Sequence, residues 1–252
     1  MKKFTNVRDK DRIVFKNLSD SSELIVNHFD EEYICDTIFI DEKYDLDFVN
    51  YIVHILKETD DIGVLFAKYD SRHLEKVLAN NGLKVSNYQY TIRNDENYRV
   101  CEYEVSDVLK FEEKNFYLGI INKLARENCA YLNPDKEFQE YGDRWFEIED
   151  YQYRTYRKNG VIVGIVDYKN FECDAYCKEV SNDCFDYNGK LCIRCLLSED
   201  EKVLEDMLRD LLATYKKEIV INVTYGEKSL KAVLNKFDCK FDFCQYVLIE
   251  KK

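Results

Sequence analysis

Residues Glu218–Ile249, EIVINVTYGEKSLKAVLNKFDCKFDFCQYVLI, decide the fold, because they have a strand–helix–strand pattern that also occurs earlier in the chain. The earlier stretch is Ile62–Arg93, IGVLFAKYDSRHLEKVLANNGLKVSNYQYTIR, and the two align without a gap at a separation of 156 positions. Eight aligned pairs are identical: Val64/Val220, Tyr69/Tyr225, Leu74/Leu230, Val77/Val233, Leu78/Leu234, Lys84/Lys240, Gln89/Gln245 and Tyr90/Tyr246. The sequence therefore predicts a duplicated domain.

The repeat extends upstream at the same separation. The apolar residues Phe48, Ile52, Ile55 and Leu56 align with Leu204, Leu208, Leu211 and Leu212. Each copy is thus predicted as strand, helix, strand, helix, strand, with Tyr33–Ile40 and Lys190–Leu197 as the first strands. A strand that is followed by a helix and another strand indicates a parallel pair joined by a right-handed crossover.

The composition limits the classes of partner. The chain has 252 residues, 46% of them hydrophobic, and a formal net charge of −12 without a basic stripe. This charge argues against nucleic acid and anionic membranes as partners. We find no signal peptide or membrane-spanning stretch, and ten cysteines without an export signal are typical of a reducing compartment. We therefore expect a cytoplasmic protein, and the sequence does not indicate its oligomeric state.

Local patterns predict the other elements. Arg12–Phe15 is predicted as a strand and Ser22–His28 as a short helix. Polar residues 93–97 place a domain boundary near residue 95, which divides the chain into 1–95 and 96–252. After this boundary, apolar residues at helical spacing predict a helix over Ser106–Asn128 with Ser106 as its N-cap.

A β-hairpin is predicted around Asn159-Gly160. This dipeptide joins two β-rich runs, Tyr151–Lys158 and Val161–Tyr168. Asn-Gly suits a hairpin because both central residues of the turn need positive φ. The helix that follows the strand Lys190–Leu197 is predicted over Glu199–Tyr215.

The cysteines permit a weak alternative of a zinc site. Cys173 and Cys177 have knuckle-like spacing, and Cys192 and Cys195 lie three positions apart on a predicted strand. Positions three apart on a strand point to opposite faces, so we expect Cys192 and Cys195 to be separated. We predict free thiols and no metal site, and keep a metal-dependent regulator as an alternative.

The element order of 96–252 resembles the GNAT superfamily of N-acetyltransferases: helix, hairpin, strand, helix, strand, helix, strand. The resemblance implies an α/β fold with a mixed twisted sheet of the GNAT type, here duplicated, with a shortened and degenerate first copy. It also implies that acetyl-CoA lies between two central parallel strands. On this chain the implied cofactor-binding residues are Cys195, Leu196 and Leu197 on one strand and Lys202 and Val203 on the next helix.

The cofactor turn of the family is absent. The family uses a basic, glycine-rich turn whose N–H groups bind a pyrophosphate at a helix N-terminus. Here the turn is Leu197–Leu204, LSEDEKVL, which is acidic and lacks glycine. Ser198 and Glu201 have capping-box spacing and are predicted to cap the helix themselves. In the first copy the turn is Ile40–Asp45, IDEKYD, which is acidic as well.

The family's tyrosine acid is also missing. The resemblance places it at Leu78 and Leu234, or one residue earlier at Val77 and Val233, and all four positions are apolar. Tyr225, like Tyr69 in the first copy, ends the preceding strand and could reach the same region, although a half-buried aromatic is the simpler interpretation.

A general base in the second domain has to be a carboxylate. All three histidines, at positions 28, 54 and 73, precede residue 96. The candidates are Asp167, near the end of the second hairpin strand, and Glu149 with Glu147, before the first. For each of them, a solvated surface acid is the simpler interpretation.

Together these observations predict an acyltransferase that moves an acetyl group from acetyl-CoA to a small-molecule or peptide amine. The predicted catalytic residues are Asp167, Tyr225 and Glu149. The alternative is a non-catalytic GNAT-like module that has lost the pyrophosphate loop and binds another ligand or a protein.

Overall fold

A computed structural model describes residues 3–8, 12–27, 38–58, 64–94, 98, 101–108, 110, 113–120, 152–171, 187–224 and 227–248. The predictions for Glu149, Tyr225, Cys173 and Cys177 lie outside the described residues. The strands are β1 (Phe4–Arg8), β2 (Arg12–Asn17), β3 (Glu23–Asn27), β4 (Ile38–Ile40), β5 (Val64–Ala67), β6 (Leu83–Ile92), β7 (Glu104–Ser106), β8 (Gln152–Lys158), β9 (Val161–Asn170), β10 (Leu191–Leu197), β11 (Ile219–Thr224) and β12 (Cys239–Leu248). The helices are α1 (Leu46–Glu58), α2 (Arg72–Asn80), α3 (residues 113–120), α4 (Glu201–Tyr215) and α5 (Lys228–Leu234).

The chain folds into two compact units, and their boundaries fall inside two strands. Unit 1 contains Met1–Tyr88 and Phe243–Lys252, and unit 2 contains Gln89–Asp242. Each unit therefore holds one part of β6 and one part of β12. The predicted division at residue 95 stays a prediction, because compact units are defined by contacts and not by ancestry.

Unit 1 begins with an antiparallel sheet in the order β1-β2-β3. The strand predicted at Arg12–Phe15 is confirmed, but the helix predicted at Ser22–His28 is wrong, because β3 occupies those residues. Leu24 and Val26 are buried, whereas Ile25 is 51% exposed. This alternation has the period of a strand, and the pairing of Leu24 with Phe15 fixes it.

The rest of unit 1 has strand order β4-β5-β12-β6. The strands β4 and β5 are parallel, as predicted for a pair joined by a helical crossover. Their core is apolar, with Ile40, Phe48 and Leu65 fully buried. The third strand, β12, comes from the end of the second repeat copy and pairs antiparallel with β5.

Unit 2 has strand order β12-β6-β11-β10-β9-β8-β7. Its sheet is mixed, since β10 is parallel to β11 and antiparallel to β9. The predicted hairpin is confirmed: β8 and β9 meet at Asn159 and Gly160, whose φ angles are 55° and 74°. Here the strand next to β11 is β6, which comes from the end of the first repeat copy. The strand–helix–strand–helix–strand order predicted for both copies is found, and the duplication itself stays a prediction.

The two faces of the unit 2 sheet differ in character. One face is a large apolar core, formed by α4 and α5 over residues such as Ile193, Ile221 and Val223. The other face carries a smaller cluster of Tyr117, Ile120, Ile165 and Leu197 under α3. Both faces bury polar side chains: Asp210 of α4 pairs with Arg154 on the first face, and Asp167 lies on the second.

Two predicted helix starts are wrong. Ser106 belongs to β7 and is not an N-cap, and the described part of the next helix begins at residue 113. The other helix, α4, begins at Glu201, and its N-cap is Asp200, whose carboxylate accepts a hydrogen bond from the Lys202 N–H. Sequence spacing does not decide between neighbouring capping residues, because either side chain satisfies the same orphan N–H groups.

Candidate functional site

The strands β10 and β11 begin as a parallel pair and then part. They pair over three positions, of which the last joins Ile193 to Ile221. Beyond this point β10 continues to Leu197 and β11 to Thr224. No further pairing between these described segments follows. Parted strands present main-chain N–H and C=O groups that can bind an extended molecule.

A β-bulge at Arg194 lies at the point of parting. Along the other edge of β10, Ile193 pairs with Tyr168 and Cys195 pairs with Asp167. Arg194 is therefore an extra residue, so that Arg194 and Cys195 together oppose one residue of β9. The bulge directs the Arg194 side chain onto the face of the sheet that carries Asp167.

A buried ion pair holds the bulge. The guanidinium of Arg194 donates to the Asp167 carboxylate from Nε, at 2.8 and 3.0 Å, and from Nη2 at 2.6 Å. The Tyr117 hydroxyl donates to Asp167 Oδ2 at 2.7 Å, and Arg194 Nη2 donates to the Tyr153 hydroxyl at 3.2 Å. The pair thus joins β9, β10, β8 and α3 at one point.

Asp167 is not the solvated surface acid of the simpler interpretation, since it is 0% exposed. Burial raises the pKa of Asp167, and the guanidinium of Arg194 opposes that shift. Burial and the charge of Asp167 raise the pKa of Tyr153 to about 12, and burial raises that of Tyr117 further. A carboxylate held by an arginine and a tyrosine is suited to fixing geometry. Its predicted role as a catalytic base stays a prediction.

Glu227 is a candidate that the sequence analysis did not identify. It follows β11 as the N-cap residue of α5, and its Oε2 accepts a hydrogen bond from the Thr224 N–H at 3.3 Å. Burial raises the pKa of Glu227 to about 7, against the opposing effect of the Thr224 N–H. The side chain is half-buried, and it lies close enough to Cys195 to raise the pKa of that thiol. A carboxyl group that titrates near neutral pH can both take and give a proton.

The predicted separation of Cys192 and Cys195 is wrong. Cys192 pairs with Lys169 and Cys195 with Asp167, and these two partners lie on one face of β9 because they are two residues apart. The extra residue Arg194 brings both cysteines to that same face. Burial raises the pKa of Cys192 to about 12 and that of Cys195 further, so both thiols are protonated at neutral pH. The described residues contain no cluster of three metal-ligating side chains.

The turn before α4 satisfies its own N–H groups. Asp200 caps the helix through the Lys202 N–H at 2.7 Å, while the Ser198 hydroxyl donates to the Val163 carbonyl at 2.7 Å. The predicted capping box of Ser198 and Glu201 is therefore wrong. The Asp200 carboxylate lies at the N-terminus of α4, where the free N–H groups of a helix attract anions.

The predicted cofactor-binding residues take two different positions. Leu196 and Leu197 are buried and Cys195 is half-buried on the parted part of β10. Val203 is buried in the apolar core, and Lys202 is exposed with its Nζ 2.7 Å from Asp206 Oδ1. The strand residues and the helix residues thus belong to separate parts of the predicted site.

Of the four positions implied for a tyrosine acid, three belong to the core and Val77 is half-buried. Leu78 is 0% exposed and Leu234 is 3% exposed, so neither faces a bound molecule. Tyr69 is half-buried, and burial together with Asp41 and Glu42 raises its pKa. This agrees with the simpler interpretation of Tyr69 as a half-buried aromatic.

Comparison with known proteins gives similarity of structure without similarity of sequence. No protein-family model matches the sequence, and no curated protein matches it significantly. A functionally unknown conserved protein from Staphylococcus epidermidis ATCC 12228 is 12% identical, with a TM-score of 0.51 over 96% of this chain and 92% of that one. At this identity the match shows a common fold alone.

Two further solved structures are similar at lower scores. A GCN5-related N-acetyltransferase from Kribbella flavida is 10% identical, with a TM-score of 0.46 over 98% of this chain and 90% of that one. A tandem GNAT protein from the clavulanic acid biosynthesis pathway is 10% identical, with a TM-score of 0.38 over 97% and 82%. Among the described helices, none is long and apolar enough to cross a membrane. The mixed sheet of unit 2 and its element order match those that the resemblance in the sequence implied.

Proposed function

We propose that the chain transfers an acetyl group from acetyl-CoA to an amine of a small molecule or a peptide. The observation that carries this proposal is the parting of β10 and β11 beside Glu227, a carboxyl group with a pKa of about 7. The parted strands provide a place for an extended thioester, and the carboxyl group provides a proton acceptor there.

The residues fit one part of acetyl-CoA and not the other. Acetyl-CoA would supply the thioester that is the acyl donor. The edge of β10 from Cys195 to Leu197 suits its extended pantetheine arm, because strand edges bind extended chains through main-chain hydrogen bonds. The turn before α4 does not suit its pyrophosphate, since Asp200 caps the helix and Lys202 is paired with Asp206. We therefore propose that recognition rests on the arm and that binding is weak.

Glu227 would act on both protons of the reaction. It takes the proton that the amine loses as its nitrogen bonds to the acetyl carbon, and it gives a proton to the sulfur as the carbon–sulfur bond breaks. A group with a pKa near the working pH serves both steps, because neither protonation state is strongly favoured. Tyr225 and Glu149 are retained from the sequence as a further proposed acid and base.

Asp167 and Arg194 would hold the strands apart and not touch the reacting atoms. Their ion pair is buried and fixes the bulge from which β10 departs from its partner. We propose that Asp167 is a positioning residue. This role, and not that of a general base, is the first one to test by mutation of Asp167.

The experiment is calorimetric titration with acetyl-CoA and desulfo-CoA, followed by thiol release in the presence of a panel of amines. We expect a dissociation constant above the micromolar range, which is a binding free energy weaker than about −8 kcal/mol, and thiol release that depends on the amine. Glu227→Gln should bind acetyl-CoA as the wild type does and release thiol about 10²–10³-fold more slowly.

A non-catalytic binding module is the second candidate. It is favoured by the helix cap at Asp200 and by the apolar residue Leu234 at the position of the family's tyrosine. Absence of both heat and thermal shift at millimolar acetyl-CoA would support this candidate and contradict the transferase. Binding without thiol release across the panel would support a module that retains the cofactor.

A further inference from the structure

The strand β10 leads directly to the N-terminus of α4. It ends at Leu197, and α4 begins at Glu201 after a short turn. In the proposed function the arm of the acyl donor lies along β10 from Cys195 to Leu197. Whatever follows the arm beyond Leu197 therefore meets the N-terminus of α4, where a helix ordinarily attracts an anion.

A carboxylate already lies at this helix start. Asp200 Oδ1 accepts a hydrogen bond from the Lys202 N–H at 2.7 Å, and the Asp200 carbonyl accepts one from the Leu204 N–H at 3.0 Å. The Asp200 N–H donates to the Ser198 hydroxyl at 3.2 Å. These three hydrogen bonds fix Asp200, so its negative charge stays at the place where an anionic group of the donor would arrive.

The positive charge of this turn is paired within the helix. Lys202 Nζ lies 2.7 Å from Asp206 Oδ1 and 4.0 Å from Glu205 Oε1. The turn also contains Glu199 and Glu201 beside Asp200. A pyrophosphate that follows the arm would therefore meet a net negative charge, which repels it.

Unit 1 has the same arrangement before α1. The Asp45 carboxylate accepts a hydrogen bond from the Asp47 N–H at 2.9 Å, and the Asp45 carbonyl accepts one from the Val49 N–H at 3.0 Å. Asp45 and Asp200 thus bind the N–H groups two and four residues further along the chain in the same way. Because we assign no ligand to the closed strand pair of unit 1, Asp45 provides a matched control for Asp200.

We propose that the preferred acyl donor is a pantetheine thioester without the nucleotide pyrophosphate, either free or as the phosphopantetheine arm of a carrier protein. Both sources present the arm and the thioester that the edge of β10 suits, and both lack the pyrophosphate that Asp200 repels. The inference rests on the proposed function and names its donor class. The amine nitrogen bonds to the acyl carbon, the carbon–sulfur bond breaks, and the arm leaves as a thiol that carries the proton.

The nucleotide of acetyl-CoA should therefore hinder this chain. In an enzyme that binds the nucleotide, its removal lowers kcat/KM, because binding energy from remote parts of a substrate lowers the barrier of the reaction. Here its removal takes away a repulsion, so we expect the opposite sign. Since the repelling charges are exposed, the difference should shrink as salt is added.

The experiment compares amine-dependent thiol release by the full chain from acetyl-CoA, S-acetylpantetheine and an acetylated acyl carrier protein. We expect kcat/KM for S-acetylpantetheine to exceed that for acetyl-CoA by about 2–5-fold at low salt. Calorimetric titration with pantetheine and with CoA gives a readout without catalysis, and pantetheine should bind more tightly. A kcat/KM for the carrier protein above that for S-acetylpantetheine would identify the carrier protein as the source, and a lower value would identify the free thioester.

Asp200→Asn keeps an acceptor for the Lys202 N–H and removes the charge. It should raise kcat/KM for acetyl-CoA by about 2–5-fold and leave that for S-acetylpantetheine unchanged. Asp45→Asn makes the same change in unit 1 and should alter neither value. An equal or higher kcat/KM for acetyl-CoA than for S-acetylpantetheine in the wild type would overturn the inference and leave the transferase intact. Absence of thiol release from every donor would instead overturn the proposed function, and this inference with it.

Discussion

Two parallel strand pairs in the described part of the chain have the same element order and different ends. In unit 1, β4 and β5 stay paired to the ends of both strands, at Ile40 and Ala67, and the Lys68 N–H still donates to the Ile40 carbonyl. In unit 2, β10 and β11 part after Ile193 and Ile221. A closed pair offers no room for an extended ligand between its strands, so we assign the proposed site to unit 2.

The strand registers show what distinguishes the pairs. Ile38 pairs with Leu65, and Ile193 pairs with Ile221. Leu65 and Ile221 are 156 positions apart, whereas Ile38 and Ile193 are 155 apart. The second strand therefore contains one extra residue before the helix, and the bulge at Arg194 is where it is accommodated. The parted pair thus differs from the closed pair by one residue in its first strand.

Breaking the ion pair at the bulge should have the largest effect. We expect Asp167→Ala to lower the free energy of unfolding by about 3–5 kcal/mol, because it leaves the buried Arg194 without its counter-charge. Replacing both partners with apolar residues, as Asp167→Leu with Arg194→Met, should cost clearly less. Urea denaturation monitored by circular dichroism measures both values.

Asp238→Ala is the control for this first test, because it removes an ion pair with Arg93 in which both side chains are more than half exposed. Its cost should be below about 1 kcal/mol. A loss below 1 kcal/mol for Asp167→Ala as well would contradict the view that the buried pair holds the bulge.

The residues that follow β5 and β11 give a second comparison of the two strand pairs. Glu227 in unit 2 aligns with Ser71 in unit 1, whose hydroxyl caps α2 through the Leu74 N–H. If Glu227 is the proton acceptor, Glu227→Gln should lower the rate of amine-dependent thiol release by about 10²–10³-fold. Ser71→Ala should cost about 1 kcal/mol of stability and leave the rate unchanged. Equal rates for wild type and Glu227→Gln would remove Glu227 from the mechanism.

The same carboxyl group should make stability depend on pH. The pKa of Glu227 is about 7 in the folded chain, against 4.5 as its ordinary value. Between these values the folded state binds more protons than the unfolded state, so this group lowers stability as pH rises from about 4.5 to 7. Glu227→Gln should be more stable than wild type by about 1–3 kcal/mol at pH 8 and nearly equal at pH 4.5.

Thermal unfolding of both proteins across this pH range measures the difference. A constant difference between them would contradict a raised pKa for Glu227. Ser71→Ala provides the reference, because it changes the matching position of unit 1 without removing a carboxyl group, and its stability loss should be independent of pH.

The acidic turn before α4 should give the smallest effect. Asp200→Ser keeps a helix cap and removes one negative charge, so acetyl-CoA should bind about 2–5-fold more tightly. S-acetylpantetheine lacks the pyrophosphate and should bind equally to both proteins. Calorimetric titration compares the two ligands. Tighter binding of S-acetylpantetheine as well would show that Asp200 acts on the arm and not on the pyrophosphate.

Much of the fold could be predicted from local patterns. The hairpin at Asn159 and Gly160 follows from turn chemistry, and the helix α4 follows from its apolar stripe. The strand β3 was predicted as a helix, because five residues are too few to distinguish the two periods without a partner strand.

The site was less predictable than the fold, because a bulge leaves little trace in the sequence. Counting positions placed Cys192 and Cys195 on opposite faces, and the extra residue Arg194 reverses that result. Asp167 was identified by position, but its burial depends on Arg194 and Tyr117, which are distant in sequence. Glu227 was not predicted, because Tyr225 was chosen as the candidate in this segment. An acid at the start of a short helix is also common. The sequence signal for Glu227 was that the aligned residue of the first copy is Ser71, which is not an acid.

The exchange of β6 and β12 has a consequence for any attempt to shorten the protein. Unit 1 includes Phe243–Lys252, which provide a strand beside β5. A stop codon after Asp242 would therefore remove a strand from unit 1, although unit 1 otherwise consists of the N-terminal part of the chain. Expressed separately, the two halves of the gene would each lack a strand, and the halves could reconstitute the fold only when they are produced together.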